Sequence, residues 1–374
     1  MMPVRFFTTH RALAEEEDFL TEALNGLRSS PTRTNGSLVR QLEDEVASRT
    51  GAAHAVACNS GTDALVALLL AAGIGPGDEV IVPVYSFFAT ASCVVHAGAT
   101  PVFVDVDPDS YALTADSVAA AVTERTAAVL VVHLFHQMAD MEPLRTLCDE
   151  RGLLLLEDSA EAIGMTQGGL HAGRFGAGGV LSFFPTKTWG GLGDCGVIVT
   201  DDLGLADRAR EVVAGVSATP WCSEADEVQA AVLLAKARRL DGEIERRREL
   251  AQRYDERLKA VQGVRTPRLK EAQQPQNRVW YVYLAELEHR DELAAFLAER
   301  GVETEAYYPR TIADQPCFSG SGSGSGPADR RASFPNAEYA ATRALGLPLY
   351  PDMTDADVDE VCSAITDFYS AKAN

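Results

Sequence analysis

Along the first two-thirds of the chain, apolar and polar positions follow two rhythms. Leu38 to Arg49 places Val39, Leu42 and Val46 at spacings of three and four, which predicts an amphipathic helix, and Gly51 supplies its stop. Short, nearly unbroken apolar runs predict strands at His54–Cys58, Glu79–Val82, Pro101–Val106, Ala128–Leu134, Leu153–Glu157, Val180–Phe184 and Gly196–Thr200. Helical patterns lie between many of them, among them the apolar Thr62–Ala72, then Asp116–Val122 and Pro143–Glu150. Strands that lack polar alternation and are separated by helices predict a mostly parallel sheet covered on both faces. This is an α/β chain.

The rhythm changes after that. Asp226 to Lys259 predicts one long helical stretch, basic at Arg246, Arg247 and Arg248. A strand (Val279–Leu284), a helix (Arg290–Arg300) and a C-terminal helix (Thr354–Tyr369) follow. The expected organisation is a large α/β domain over 1–245, including an N-terminal helical segment, and a smaller α+β domain over 246–374. A length of 374 residues suits two domains of about 150 each. The Ser319–Gly326 repeat of Ser and Gly reads as a flexible loop.

Composition narrows the partners. Lys+Arg total 33 against 54 Asp+Glu, a net charge of −21, which repels phosphate backbones and anionic lipid. Neither a nucleic acid nor a membrane is expected as a partner, although a small anionic ligand needs only a local site. The apolar runs are far too short for a bilayer, and the N-terminus reads without a signal peptide, so a cytoplasmic location is expected. The seven cysteines are scattered without a CxxC pair and read as reduced thiols. His133 and His136 straddle a strand end with no carboxylate or cysteine at ligand spacing, so no metal is expected. The glycines at 173, 176, 178 and 179 do not form a dinucleotide-binding fingerprint.

Lysine is scarce. Only Lys187, Lys236, Lys259, Lys270 and Lys372 occur, and Lys187 stands alone in the first 235 residues. Where arginine fills nearly every other basic position, a lone lysine invites a chemical reason. Lysine can become a neutral amine nucleophile, and arginine effectively cannot.

Ligands of open α/β sheets bind outside the carboxyl ends of the strands. Four strand ends here carry candidate chemistry. Asn59-Ser60-Gly61-Thr62 opens a helix after a strand, and suits either a phosphate or simple capping. Glu157-Asp158-Ser159-Ala160-Glu161 ends another, with Glu157 and Asp158 on opposite faces. There Asp158 would either cap the next helix or partner a protonated ring nitrogen. Pro185-Thr186-Lys187 leads into a glycine-rich loop, where a Schiff-base lysine would belong with its pKa lowered by its surroundings. Phe87, in an aromatic segment after Val82, is placed either to pack in the core or to stack on a planar ring. Together these are the parts that pyridoxal phosphate chemistry requires.

The same residues resemble the DegT/StrS family of sugar-nucleotide aminotransferases, of fold type I among the pyridoxal phosphate enzymes. The likeness is carried by Ser60–Leu65, Gly75–Pro83, Gly98–Val106, Glu157–Glu161, Ser182–Lys187 and Leu345–Pro351, and spans roughly 15–370. It implies Lys187 as the catalytic lysine, bonded to the cofactor and then moving a proton between Cα and C4′. It implies Asp158 on the ring nitrogen, Gly61, Thr62 and Ser182 on the phosphate, and Phe87 over the ring. Glu161 falls where many members have a Gln at the ring hydroxyl. The activity implied is transfer of an amino group from L-glutamate to a keto group of a nucleotide-linked deoxysugar, a dTDP sugar foremost, by a homodimer with shared sites. An aminocyclitol aminotransferase and a catalytically silent cofactor-binding regulator are the alternatives. Two departures stand out. Cys222-Ser223-Glu224-Ala225 replaces an Asn-Tyr-Arg-Met-like run, and Tyr307-Tyr308-Pro309 stands where His-Tyr-Pro is common.

Overall fold

A computed structural model describes residues 4–7, 17–29, 32–216, 221–318 and 333–372. The Ser319–Gly326 repeat lies outside the described residues. After helices α1 (Glu17–Ser29) and α2 (Ser37–Thr50), the chain alternates strands and helices. These are β1 (His54–Cys58), α3 (Gly61–Ala71), β2 (Glu79–Pro83), α4 (Ala89–His96), β3 (Thr100–Val104), α5 (Ala115–Ala121), β4 (Thr126–Val132), α6 (Met141–Arg151) and β5 (Leu154–Asp158). A two-residue hairpin, Thr166–Gln167 with Leu170–His171, precedes β6 (Gly178–Ser182), β7 (Gly196–Thr200) and α7 (Leu203–Val213).

The seven strands form one sheet in the order β1-β7-β6-β5-β4-β2-β3. Only β7 runs against its neighbours, pairing antiparallel with β1 and β6, while the other pairs are parallel. Both faces are covered, and alternate residues of one strand serve opposite layers: Ala128 and Leu130 of β4 join the core under α3 and α4, whereas Val129 and Val131 face α6. Helix α3 is apolar all round because it is buried on nearly every side, its Ala64 to Leu69 stretch being sequestered. Gly51, at φ +71°, ends α2 as the spacing predicts.

Several boundaries differ from expectation. The single helix expected over Asp226–Lys259 is two, α8 (Glu227–Lys236) and α9 (Leu240–Leu258). Between them the Ala237 carbonyl accepts from the Arg49 guanidinium at 2.7 Å, an interaction outside the helical ladder. Position 245 falls inside α9, whose Leu240 packs in the large lobe beside Trp189, while Leu250, Tyr254 and Leu258 pack in the small one.

That small lobe has a three-stranded sheet, β8 (Val264–Arg265), β9 (Tyr283–Leu287) and β10 (Ala344–Leu347), with α10 (Arg290–Glu299), α11 (Pro335–Arg343) and α12 (Asp355–Lys372). Strand β9 starts at Tyr283, not at Val279, because the preceding backbone turns to the large lobe, where the Tyr281 N–H donates to the Phe135 carbonyl. All seven cysteines are free thiols, with Cys222 and Cys317 exposed. Among the described residues no helix is long and apolar enough to cross a membrane.

Close packing beside β5 leaves no room for side chains at two glycines. A Cβ on Gly176 would lie 2.0 Å from the Leu155 carbonyl oxygen, and one on Gly179 would lie 2.3 Å from Gly173 Cα. Gly176→Ala therefore forces backbone apart beside β5. Denaturant melts should show a loss of about 2 kcal/mol or more.

Candidate active site

The carboxyl ends of the parallel strands open into a cavity of about 310 Å3 between the two lobes. All seven residues singled out in the sequence line it: Gly61, Thr62, Phe87, Asp158, Glu161, Ser182 and Lys187. A second cavity, of about 210 Å3 beside α5 and Lys270, contains none of them.

Helix α3 points its N-terminus at this cavity. The Ser60 hydroxyl accepts from the Asp63 N–H at 3.0 Å, so the capping reading holds for Ser60. Capping does not use the first N–H groups of the helix, which have no intrahelical partner. Gly61 is required by close approach, since a Cβ there would lie 2.8 Å from Ser182 Cβ and 2.9 Å from its Oγ. A hydroxyl and a bare backbone thus share one corner at the positive end of a helix dipole.

Strand β5 delivers two carboxylates to opposite faces. Glu157 has no exposure; it accepts from His133 Nε2 at 3.0 Å and from the N–H groups of Gly173, Phe175 and Gly176. Ala139 N–H donates to His133 Nδ1, which fixes the tautomer and engages both ring nitrogens. His136 instead stacks on Trp280 at 4.6 Å, and burial pulls its pKa down to about 4. Asp158 turns into the cavity. Its Oδ1 accepts from the Ala160 N–H and its Oδ2 from the Thr90 hydroxyl, both at 3.2 Å. Burial raises its pKa, against the Ala160 hydrogen bond and the Lys187 charge.

Lys187 follows β6 by a tight turn in which its N–H donates to the Phe184 carbonyl. Its Nζ lies 3.2 Å from Glu161 Oε1 and 4.3 Å from the centre of the Tyr281 ring. The lowered pKa expected for this lysine is not found. Burial pulls it down, but the Glu161 carboxylate, Tyr281 and Asp158 together outweigh burial and raise it. Lys187, partly exposed to the cavity, and the buried Glu161 form an ion pair.

Phe87 lines the cavity half-exposed, with the Phe88 ring 4.6 Å away. Cys222 to Ala225 runs beside β1, where the Ser223 hydroxyl donates to Asp63 at 2.6 Å. Four participants escaped the sequence reading. Thr90 holds Asp158; Tyr281 faces Lys187; Gln229 accepts from the Leu192 and Gly193 N–H groups and so shapes the glycine loop. Phe135 holds Glu161 through its N–H at 2.7 Å, with φ +65°, a conformation costing about 1 kcal/mol or more in a non-glycine residue. Tyr281 carried a weak signal, as one of two aromatic hydroxyls in an otherwise apolar run; the others carried none.

A layered α/β lobe with a helix-capped anion corner, a buried strand-end acid and a cavity lysine defines a fold type I pyridoxal phosphate enzyme. Comparison with known proteins agrees. The DegT/DnrJ/EryC1/StrS aminotransferase family model matches residues 14–366. The chain is 40% identical over 343 residues to a "Pleiotropic regulatory protein" of Geobacillus stearothermophilus, covering 89% of this chain and 90% of that one. It is 38% identical over 337 residues to a UDP-N-acetyl-3-dehydro-alpha-D-glucosamine 3-aminotransferase of Acidithiobacillus ferrooxidans, covering 88% of each. Other relatives are named for dTDP- and GDP-linked amino sugars. The structure of S. venezuelae DesV in complex with a ketimine intermediate superimposes with a TM-score of 0.91 at 34% identity, covering 99% of both chains. The chain belongs to the DegT/DnrJ/EryC1/StrS aminotransferase family and is a pyridoxal phosphate-dependent aminotransferase.

Replacing Glu157 with Ala leaves a buried imidazole N–H and three backbone N–H groups without acceptors. Glu157→Ala should lose about 3 kcal/mol or more of stability, measured by denaturant unfolding.

Proposed function

We propose that the protein transfers an amino group from L-glutamate to a keto group of a nucleotide-linked deoxysugar, a dTDP sugar foremost, in a ping-pong cycle. The reading is carried by one observation: the Lys187 amine, the buried Asp158 carboxylate and the glycine-opened start of α3 meet in a single cavity. The dTDP-sugar transaminases among the relatives support the choice of acceptor.

The residues present fit the cofactor, since Gly61 leaves a cradle that a Cβ would fill and Asp158 is a buried acid suited to a cationic ring partner. Pyridoxal 5′-phosphate, when bound, supplies an aldehyde that receives the amino group and a ring that stores electrons. The N–H groups of Gly61 and Thr62 and the Ser182 hydroxyl hold the phosphate, where the dipole of α3 favours an anion. Asp158 holds the proton on the ring nitrogen, and the cation it faces offsets the cost of its burial. Phe87 covers the ring face, and Glu161 stands beside the lysine. Lys187 Nζ is the group that would hold the cofactor through its aldehyde carbon, and its amine would move the proton between the donor's Cα and C4′.

Phe87, Phe88 and Phe184 remain about half exposed where they line the cavity, an apolar rim that a second copy of the chain would cover. A homodimer with shared sites is part of the reading. Sedimentation of the holoenzyme as a monomer would count against it.

With cofactor bound, wild-type protein should show a visible absorbance band that bleaches on adding L-glutamate. Lys187→Ala should show neither response and lose turnover by several orders of magnitude; a fully active variant overturns the reading. An unchanged spectrum with glutamate would instead overturn glutamate as the amino donor. Assays with nucleotide-linked ketosugars beside inosose-type ketones separate the sugar reading from the aminocyclitol one. Gly61→Ala should weaken retention of the cofactor by about tenfold or more in equilibrium dialysis, because the new methyl group crowds Ser182.

A further inference from the structure

The ion pair at the heart of the cavity works against the lysine it contains. Nζ of Lys187 stands 3.2 Å from Glu161 Oε1, and the other carboxylate oxygen is fixed by the Phe135 N–H at 2.7 Å. Phe135 is itself gripped at both ends. Its N–H is held by Glu161, and its carbonyl accepts from the Tyr281 N–H at 2.8 Å. Its φ of +65° is a conformation that a non-glycine residue keeps only when its surroundings enforce it. Tyr281 presents its ring face to the same Nζ, 4.3 Å from the ring centre.

The remaining titratable neighbours do not relieve the pair. Asp158 adds a second negative charge toward Lys187, and Tyr307 and Tyr308 line the same cavity, where the Glu161 charge adds to burial in keeping their hydroxyls protonated. His133, also on the cavity wall, is occupied by Glu157 and the Ala139 N–H. Every charged or π contact therefore favours the ammonium form of Lys187, and burial alone opposes it.

An amine adds to an aldehyde carbon only when neutral. We infer that Glu161, anchored by the strained backbone of Phe135, is a positioning residue that holds Lys187 as the ammonium ion, so that it restrains bonding to the cofactor. The inference rests on Lys187 being the cofactor-bonding lysine. In the step it governs, the ammonium first gives its proton to solvent. The neutral amine then adds to the aldehyde carbon, a carbon–nitrogen double bond replaces the carbon–oxygen one, and the oxygen leaves as water.

Removing the carboxylate removes an anion beside Nζ, which lowers the proton affinity of Lys187 and enlarges the neutral fraction at any pH below its pKa. The test is the rate at which the full-length, cofactor-free chain bonds pyridoxal 5′-phosphate, followed by absorbance across pH 6.5 to 9.5. Glu161→Gln should bond at least about tenfold faster than wild type at neutral pH, with its profile displaced to lower pH by about one unit or more. Glu161→Asp keeps the charge and should follow the wild-type profile. A purely structural role would slow bonding at every pH without displacing the profile, and that result overturns the inference, as does a Glu161→Asp profile matching that of Glu161→Gln. Should Glu161→Gln fail to fold, the wild type decides alone. Its rate should climb about tenfold per pH unit from 7 to 9, and a plateau below pH 9 overturns the inference. If the wild type bonds no cofactor at any pH, the functional reading itself fails, an outcome distinct from a flat profile.

Discussion

A carboxylate without solvent exposure governs the geometry of this lobe. Glu157 draws in His133 from the segment after β4 and the N–H groups of Gly173, Phe175 and Gly176 from the loop before β6. A buried charge is tolerable only when its lone pairs are used, and here four donors use them. The clamp fixes β5 between its neighbours, and the next residue along the strand must then face the other way. Asp158 enters the cavity because Glu157 is committed to the scaffold.

The cavity is built from elements far apart in sequence but equivalent in the sheet. Gly61 follows β1, Phe87 follows β2, Asp158 ends β5, and Lys187 follows β6. Parallel strands deliver all these ends to one edge, and the small lobe closes it with Tyr281, Tyr307 and Tyr308. The aromatic side is continuous: Phe135 lies within 6.3 Å of Tyr111, Tyr307 and Tyr308, ring centre to ring centre. Rigid rings and a strained backbone hold the carboxylate of Glu161 against the lysine, which is why Lys187 binds its proton more tightly than a strand-end lysine would be expected to.

Much of this was legible in the sequence. The strands of the main sheet are buried on both faces and so read as plain apolar runs, and the chemical residues fall where those runs stop. The lone lysine stood out because arginine fills the other basic positions of the first 235 residues. What stayed hidden depends on three-dimensional partners. The lysine's proton affinity is set by Glu161 and Tyr281, which lie 26 and 94 residues away. The break between α8 and α9 coincides with a hydrogen bond from Arg49, 188 residues upstream. The late start of β9 depends on Phe135, which holds Tyr281 against the large lobe.

Helix α9 gives the two lobes a common mechanical member. Its 19 residues run unbroken from Leu240, seated beside Trp189, to Leu258 in the core beneath the small sheet. A continuous helix bends little without breaking its own hydrogen bonds, so it transmits torque where a flexible linker would absorb it. Arg247, buried midway, ties the rod to the carbonyls of Tyr281 and Leu349. A shift of the small lobe along the rod is therefore felt at the cavity wall, where Arg247 holds the Tyr281 carbonyl.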